Sequence, residues 1–248
     1  MKAEDVKPYS REGNKGEQVE AMFDNIAPAY DFMNTAMSLG MHRSWLRKAL
    51  KALEPVKSDG TLSIVDLATG TGDVAFRLAE MFPGGAITGV DLSSGMLRIA
   101  RRKLEEAHPE LKDRIRFEQG DCLALRHADE SFDILTIAYG VRNFENLEKG
   151  FREFHRVLRP GGKCMILELS RPENRLIRPG YDLYTRTLVP LAGRIVSKDS
   201  RAYTYLPASI AAMPPRREVA EMLKKVGFGK VSYKTLWPGV VTYYIAEK

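Results

Sequence analysis

The stretch Asp66-Leu67-Ala68-Thr69-Gly70-Thr71-Gly72-Asp73 places two carboxylates and two glycines within eight residues, directly after the apolar run Ile64-Val65. Gly70, Gly72 and Ala75 keep G-x-G-x-x-A spacing, which lets backbone approach a ligand where a strand hands over to a helix. Spacing alone leaves two ligands open, a dinucleotide and a nucleoside-like methyl donor. Charge favours the second. A pyrophosphate is drawn to a helix N-terminus by free N–H groups and the helix dipole, and a carboxylate there repels it. Asp73 follows the second glycine and Asp66 precedes the first, which suits S-adenosylmethionine, a ligand with an ammonium, a sulfonium and no phosphate.

Further carboxylates recur at intervals. Asp91 closes the next β-branched run, nineteen positions beyond Gly72, where a carboxylate can accept both hydroxyls of a ribose. Its alternative is an N-cap for the helix starting near Ser93. Gly120-Asp121-Cys122 follows the third run, where a carboxylate and adjacent backbone can read an adenine amino group; a turn aspartate is the alternative. Asp66, Gly70, Gly72, Asp91 and Asp121 in order at successive strand ends say more than any one of them.

These residues need a scaffold that brings strand ends together. Leu62–Leu67, Ala86–Val90, Ile115–Glu118, Ile134–Ile137 and Cys164–Leu169 read as strands. Helical patterns over Asp73–Met81, Gly95–Ala107 and Glu148–Val157 alternate with them. The expected fold is therefore α/β, a mostly parallel sheet with helices on both faces. Val231–Leu236 and Val241–Ala246 flank Pro238 and Gly239 and predict a closing antiparallel hairpin, making seven strands. Val19–Leu53 has helical periodicity, residues 1–18 read as a loose arm, and residues 171–215 as a helical insertion covering the ligand crevice. At 248 residues with 44% hydrophobic side chains, one domain spanning 1–248 is expected.

Composition narrows the partners. The N-terminal segment is polar and no run approaches eighteen apolar residues, so a cytoplasmic, unexported chain is expected. Cys122 and Cys164 stand apart from each other and from any His cluster, so no metal site is expected. A formal charge of +6 favours an anionic partner, but the cations are dispersed. Thr136-Ile137-Ala138-Tyr139-Gly140 lacks the Pro-Pro-aromatic motif of base-methylating enzymes, and neither cysteine has the Pro-Cys setting of a base-attacking nucleophile, which argues against nucleic acid.

Four further blocks carry a family signature. Tyr30-Asp31-Phe32-Met33-Asn34 with Ser38, His42 and Trp45 resembles the first motif of the ubiquinone/menaquinone biosynthesis C-methyltransferase family. Arg156 to Gly162, running on to Glu168 and Ser170, resembles its second. Gly140-Val141-Arg142-Asn143 and Tyr203-x-Tyr205-Leu206-x-x-Ser209-Ile210 match two more. The resemblance implies a class I S-adenosylmethionine-dependent methyltransferase fold and methylation of a ring carbon in a polyprenylated quinol. It leans toward the menaquinone branch, with the benzoquinol of the ubiquinone branch and a non-catalytic scaffold as alternatives. By motif position it assigns cofactor contacts to Thr71, Asp91, Asp121 and Cys122, and the reacting centre to Arg142, Asn143 and Asp73. Ala138 stands where relatives often carry serine, and Thr69 where many carry glycine.

Arginine stays protonated, so Arg142 is expected to stabilise a phenolate rather than take its proton. An ion pair with Asp133 or Glu145 is its alternative. Asp73 or His42 would receive the proton through water. His42, Tyr139, Tyr203 and Ser209 are assigned to the acceptor, with packing as the competing role for His42 beside Trp45 and for the tyrosines at helical spacing. Leu183, Leu188, Val189, Leu191, Ile195 and Val196, interleaved with Arg171, Arg175, Arg178, Arg186 and Arg194, offer a groove for the isoprenoid tail or a peripheral contact with an anionic membrane, with core packing as the alternative. Oligomeric state stays open, with a homodimer among the alternatives.

Overall fold

In the computed structural model, residues 3–10, 12–54, 61–188 and 200–248 are described. Helices α1 (Lys15–Ile26), α2 (Tyr30–Ser38) and α3 (Met41–Lys51) precede the sheet. The sheet and its crossovers follow as β1 (Ser63–Leu67), α4 (Asp73–Met81), β2 (Ala86–Asp91), α5 (Ser94–Glu106), β3 (Ile115–Gln119), β4 (Phe132–Ala138), α6 (Leu147–Val157) and β5 (Leu158–Leu169). Then come α7 (Arg178–Leu183), α8 (Ser200–Ala212), α9 (Arg216–Lys225), β6 (Lys230–Leu236) and β7 (Val241–Glu247).

Strand order is β3-β2-β1-β4-β5-β7-β6, with β7 antiparallel to both neighbours and the other adjacent pairs parallel. This is the expected seven-stranded sheet ending in an antiparallel hairpin. Its central strands are buried on both faces, which is why they read as continuous apolar runs. One face packs Phe151, Phe154, Val219 and Leu223 of α6 and α9. The other packs Trp45, Leu78 and Leu97 of α3, α4 and α5. A smaller core of Met22, Met33, Met96, Tyr203 and Tyr205 joins α1, α2, α5 and α8.

Three differences from the sequence expectation have local causes. The periodic stretch 19–53 is three helices, because Pro28 interrupts it at a 3-10 turn and Leu39-Gly40 adopts left-handed φ values of 49° and 76°. Strand β5 starts six residues early, since Leu158 pairs with Phe132 ahead of a register shift. Residues 3–10 and 12–18, expected as a loose arm, lie against the body: Ala3 and Val6 are buried, and the Lys15 ammonium donates to the carbonyls of Ala3, Arg142 and Phe144 at 2.7, 3.3 and 3.0 Å. The insertion contributes α7, a π-helical turn over Tyr184–Leu188, and α8. Val189, Leu191, Arg194, Ile195 and Val196 lie outside the described residues.

Candidate active site

Strand order reverses between β1 and β4, so the loops leaving these two strands diverge and open a crevice at their C-terminal ends. Both loops begin with a non-glycine residue at positive φ, Ala68 at 48° and Tyr139 at 60°, a conformation that holds only where surroundings enforce it. Gly140 is the close-approach position: a Cβ there would lie 2.8 Å from the Ala68 Cβ. Two cavities flank this crevice, and Phe23, Tyr30 and Tyr139 line both.

The first cavity carries negative charge. Its described lining includes Glu20, Asp91, Asp121 and Glu145, and no lysine, arginine or histidine. Asp91 is buried, with Oδ2 accepting from Gly70 N at 2.7 Å and Oδ1 from Ser93 N at 2.8 Å. Burial pushes its carboxyl up to about 6, against the pull of those two N–H groups. The N-cap of α5 is Ser93, whose hydroxyl accepts from Met96 N, so Asp91 is left to aim its carboxylate into the cavity. Asp121 Oδ1 accepts from Leu123 N at 2.8 Å, the turn role foreseen for it, while the residue still lines the cavity beside Cys122. Burial raises the Cys122 thiol far above neutrality, so it serves as packing surface. Ala138 and Gly70 complete the floor.

The rest of the glycine loop is placed differently. Asp66 lines neither cavity: its two oxygens accept the Thr69 and Thr136 hydroxyls at 2.6 Å each, which ties the loop to β4. Gly72, at φ 89°, is needed for packing, because a Cβ would lie 2.9 Å from Phe76 and 3.0 Å from Phe117. The Thr71 hydroxyl donates to Asp31 Oδ1 at 2.6 Å and accepts from Lys103 Nζ at 3.0 Å. Asp73 is 60% exposed and paired with Lys103 at 2.8 Å, so it sits at the surface rather than at a reacting centre. Lys103 also meets Asp31 Oδ2 at 2.6 Å. Asp31, Thr71, Asp73 and Lys103 thus form a clasp joining α2, the glycine loop and α5; nothing in the residue pattern pointed to Lys103.

The second cavity is larger and apolar, walled by Met33, Met37, Trp45, Tyr184, Leu206 and others. Its one arginine along the described lining is Arg142, on the 3-10 turn Val141–Asn143 that leaves β4. That one turn serves both sides: Arg142 lines the apolar cavity and Asn143 the acidic one. Arg142 is buried and pairs with Glu168, Nη1 to Oε1 at 2.8 Å, while Glu168 Oε2 accepts from its backbone N at 3.2 Å. The expected ion-pair partners are engaged elsewhere, Asp133 by Arg159 and Glu145 by Gly16 N. Burial opposes the Arg142 charge, but Glu168 and the neighbouring phenols more than offset it, and its pKa rises.

Two buried polar atoms at the cavity boundary, Tyr139 Oη and Arg142 Nε, have no hydrogen-bond partner within the protein. Unsatisfied buried groups cost about 1–3 kcal/mol each, and neither atom has a protein partner to offset that cost. Tyr205, close by, donates to Asn143 Oδ1 at 3.1 Å. Tyr205 was expected, with Tyr203 and Ser209, to orient the ring or form a lid, or else to pack, and Glu168 was legible only as a member of a motif, without a role; Lys15, whose ammonium is brought down to about 8 by burial, carried no signal at all.

Of the residues assigned to the acceptor, His42, Tyr139 and Tyr203 line the apolar cavity. His42 Nδ1 is 2.7 Å from the Ser38 hydroxyl, and burial followed by the Arg43 charge lowers its pKa. Ser209 is corrected: it is fully buried, donates to the Leu206 carbonyl at 2.9 Å, and lines neither cavity. Among the described residues no cluster of three His, Cys, Asp or Glu could hold a metal ion.

The sequence profile of the ubiE/COQ5 methyltransferase family matches residues 11–248. A demethylmenaquinone methyltransferase from Porphyromonas gingivalis is 46% identical over 246 residues, covering 99% of this chain and 98% of that one. Another, from Bacteroides fragilis, is 42% identical over 245 residues, again 99% and 98%. Among solved structures, phosphoethanolamine N-methyltransferase 2 of Haemonchus contortus, in complex with S-adenosyl-L-methionine, superposes at a TM-score of 0.62 with 19% identity, over 83% of this chain and 52% of that one. At that identity the likeness is one of fold.

Proposed function

Since the chain belongs to the ubiE/COQ5 methyltransferase family, we propose that it transfers a methyl group from S-adenosylmethionine to a ring carbon of a polyprenylated quinol, converting demethylmenaquinol to menaquinol. The observation that carries this is the pair of cavities meeting at Tyr30 and Tyr139, one acidic and free of cations along its described lining, the other apolar with a single buried arginine. A phosphate-bearing dinucleotide would meet Glu20, Asp91, Asp121 and Glu145 with no countercharge. A cationic nucleoside meets four acceptors.

When bound, S-adenosylmethionine supplies an electrophilic methyl on a sulfonium. The residues present fit it: Asp91, fixed by two N–H donors, would offer its remaining lone pairs to the ribose hydroxyls, and Asp121 with the Cys122 backbone would serve the base. A quinol ring carbon attacks only weakly until a neighbouring hydroxyl is deprotonated and the phenolate pushes density onto it; the S–CH3 bond would break as the C–CH3 bond forms, leaving the neutral thioether, and the ring C–H proton would then return to the oxygen to restore the quinol. Tyr139 Oη and Arg142 Nε, both lacking partners, would hold that oxygen, and the guanidinium favours its anionic form. Glu168 and the Asn143–Tyr205 bond fix the turn that carries them, since positioning can be worth about 7–11 kcal/mol. His42, neutral at physiological pH by its lowered pKa, faces the same cavity and can take the hydroxyl proton through water. Asp73 has no part in this step; its carboxylate holds Lys103.

Radiolabelled methyl donor offered with demethylmenaquinol and, in parallel, with a polyprenyl methoxybenzoquinol tests the reading. Labelled menaquinol is expected. Label confined to the benzoquinol would move the chain to the other branch, and binding of S-adenosylmethionine with transfer to neither would make it a scaffold.

A further inference from the structure

We propose that the mouth of the apolar cavity is a docking surface for an anionic phospholipid bilayer, carried by the side chains of Leu39, Leu183 and Trp237 and framed by the cations of α3. The inference rests on the reading that this cavity takes a polyprenylated quinol.

Large apolar side chains left in water are informative when they gather around an opening. Leu39 is 85% exposed and stands between two residues that line the cavity, Ser38 and His42. Leu183 is 65% exposed and stands between two others, Tyr181 and Tyr184. The Tyr184 hydroxyl donates to the Met37 carbonyl at 2.7 Å, which brings the Leu183 segment against the end of α2 where Leu39 begins the turn. Trp237 is 76% exposed, and its carbonyl accepts from Trp45 Nε1 at 2.9 Å, joining the β6–β7 turn to a cavity wall. Three separate segments, each adjoining residues that line the same cavity, therefore present one exposed apolar side chain each.

Charge selects the occupant. From Phe32 to Leu53 the sequence holds Arg43, Arg47, Lys48 and Lys51 and no acidic residue, and Lys230 to Val241 holds Lys230 and Lys234 and no acidic residue. Arg43, Arg47 and Lys48 are exposed. Arg171, one of the arginines first assigned to a membrane contact, is instead paired with Asp182, while Arg175 and Arg178 of the same segment are exposed and add to the cations of α3 and the closing hairpin. Cations around inserted leucine and tryptophan match an anionic headgroup layer over hydrocarbon, with indole at the interface. No described helix is long and apolar enough to cross a membrane, so the contact is with one leaflet. A quinol whose tail stays in that leaflet then enters the cavity ring first.

Flotation with vesicles of phosphatidylcholine and phosphatidylglycerol tests the surface, alongside vesicles of phosphatidylcholine alone. The full chain should float with the mixed vesicles, lose most of that binding in 0.5 M salt, and show a blue shift of tryptophan emission that is absent in Trp237→Phe. Leu39→Glu, Leu183→Glu and Trp237→Glu should each weaken binding roughly tenfold while leaving turnover of a short-tailed, water-soluble quinol within about twofold of wild type. Absence of vesicle binding, or a triple variant that floats like wild type, overturns the proposal. So does a wild-type dimer that the triple variant splits without any change in flotation, which would make the rim a self-interface. Flotation that follows the variants while no quinol is methylated in any form would instead strike the quinol reading and leave the surface standing.

Discussion

The Tyr205 hydroxyl reaches Asn143 Oδ1 at 3.1 Å, a bond between a residue lining the apolar cavity and one lining the acidic cavity. Both groups are buried, so Tyr205→Phe removes a donor and leaves Asn143 with an unsatisfied acceptor. A loss of about 1–2 kcal/mol corresponds to roughly a 5- to 30-fold change in rate. If the bond sets the turn at 141–143, kcat falls by that factor and the dissociation constant of S-adenosylmethionine stays within about twofold. A lower melting temperature with unchanged kcat would reduce Tyr205 to packing.

Glu168 is the charge that lets Arg142 be buried. Replacing it with alanine strands a guanidinium in a low-dielectric site, and breaking a buried pair in this way costs about 3–5 kcal/mol, read as a fall in the urea midpoint. Glu168→Gln keeps an acceptor for the arginine and costs less stability, but removes a negative charge beside the oxygen that Arg142 would hold. With less opposing charge the phenolate forms at lower pH. The acidic limb of the kcat profile should therefore move down in pH in Glu168→Gln, which a purely structural role for Glu168 does not predict.

The sheet and the hairpin were legible because parallel strands buried on both faces read as apolar runs and helices keep their 3.6-residue period. What was not legible was which side of each strand end a carboxylate faces. Asp66 and Asp73 flank the glycine loop and suggested a ligand's charge partners, yet Asp66 points into the sheet toward Thr69 and Thr136 and Asp73 points out toward Lys103. The acidic wall keeps Asp91 and Asp121, as expected from their strand ends, and adds Glu20 and Glu145, which only the folded chain brings beside them. Ser209 misled for a related reason: a serine in a helix can satisfy itself on the preceding turn, and sequence spacing does not distinguish that from a hydroxyl aimed at a ligand.

Cofactor affinity should depend on pH through Asp91. Its carboxyl sits at about 6, so below that pH it is protonated and offers fewer acceptors to a ribose. Affinity should rise with pH up to about 6 and level above it, by at most about tenfold per pH unit on the rising limb. S-adenosylhomocysteine, which shares the ribose but lacks the sulfonium charge, should show the same limb. Titration calorimetry from pH 5 to 8 measures both, and a limb present only for S-adenosylmethionine would assign the effect to net charge in the cavity instead of to Asp91.

Stability of the cofactor-free protein should depend on pH through Asp66. Burial pushes this carboxyl up to about 7, only partly countered by the Thr136 and Thr69 hydroxyls, whereas in the unfolded chain it ionises near 4. Between those values the folded state holds a proton that the unfolded state has released, so stability is highest at the acid end and falls as pH rises toward 7. The slope has an upper limit of about 1.4 kcal/mol per pH unit and vanishes above 7. Asn in place of Asp66 can still accept one threonine hydroxyl and donate to the other oxygen, and it carries no titrating proton. Asp91 contributes a slope of the same sign, and because its charge helps to raise the Asp66 carboxyl, the comparison is repeated in an Asp91→Asn background to separate the two. Urea midpoints at pH 5, 6, 7 and 8 should therefore show Asp66→Asn gaining on wild type step by step up to pH 7 and holding its advantage beyond; a difference independent of pH would mean that Asp66 is ionised in the folded protein throughout.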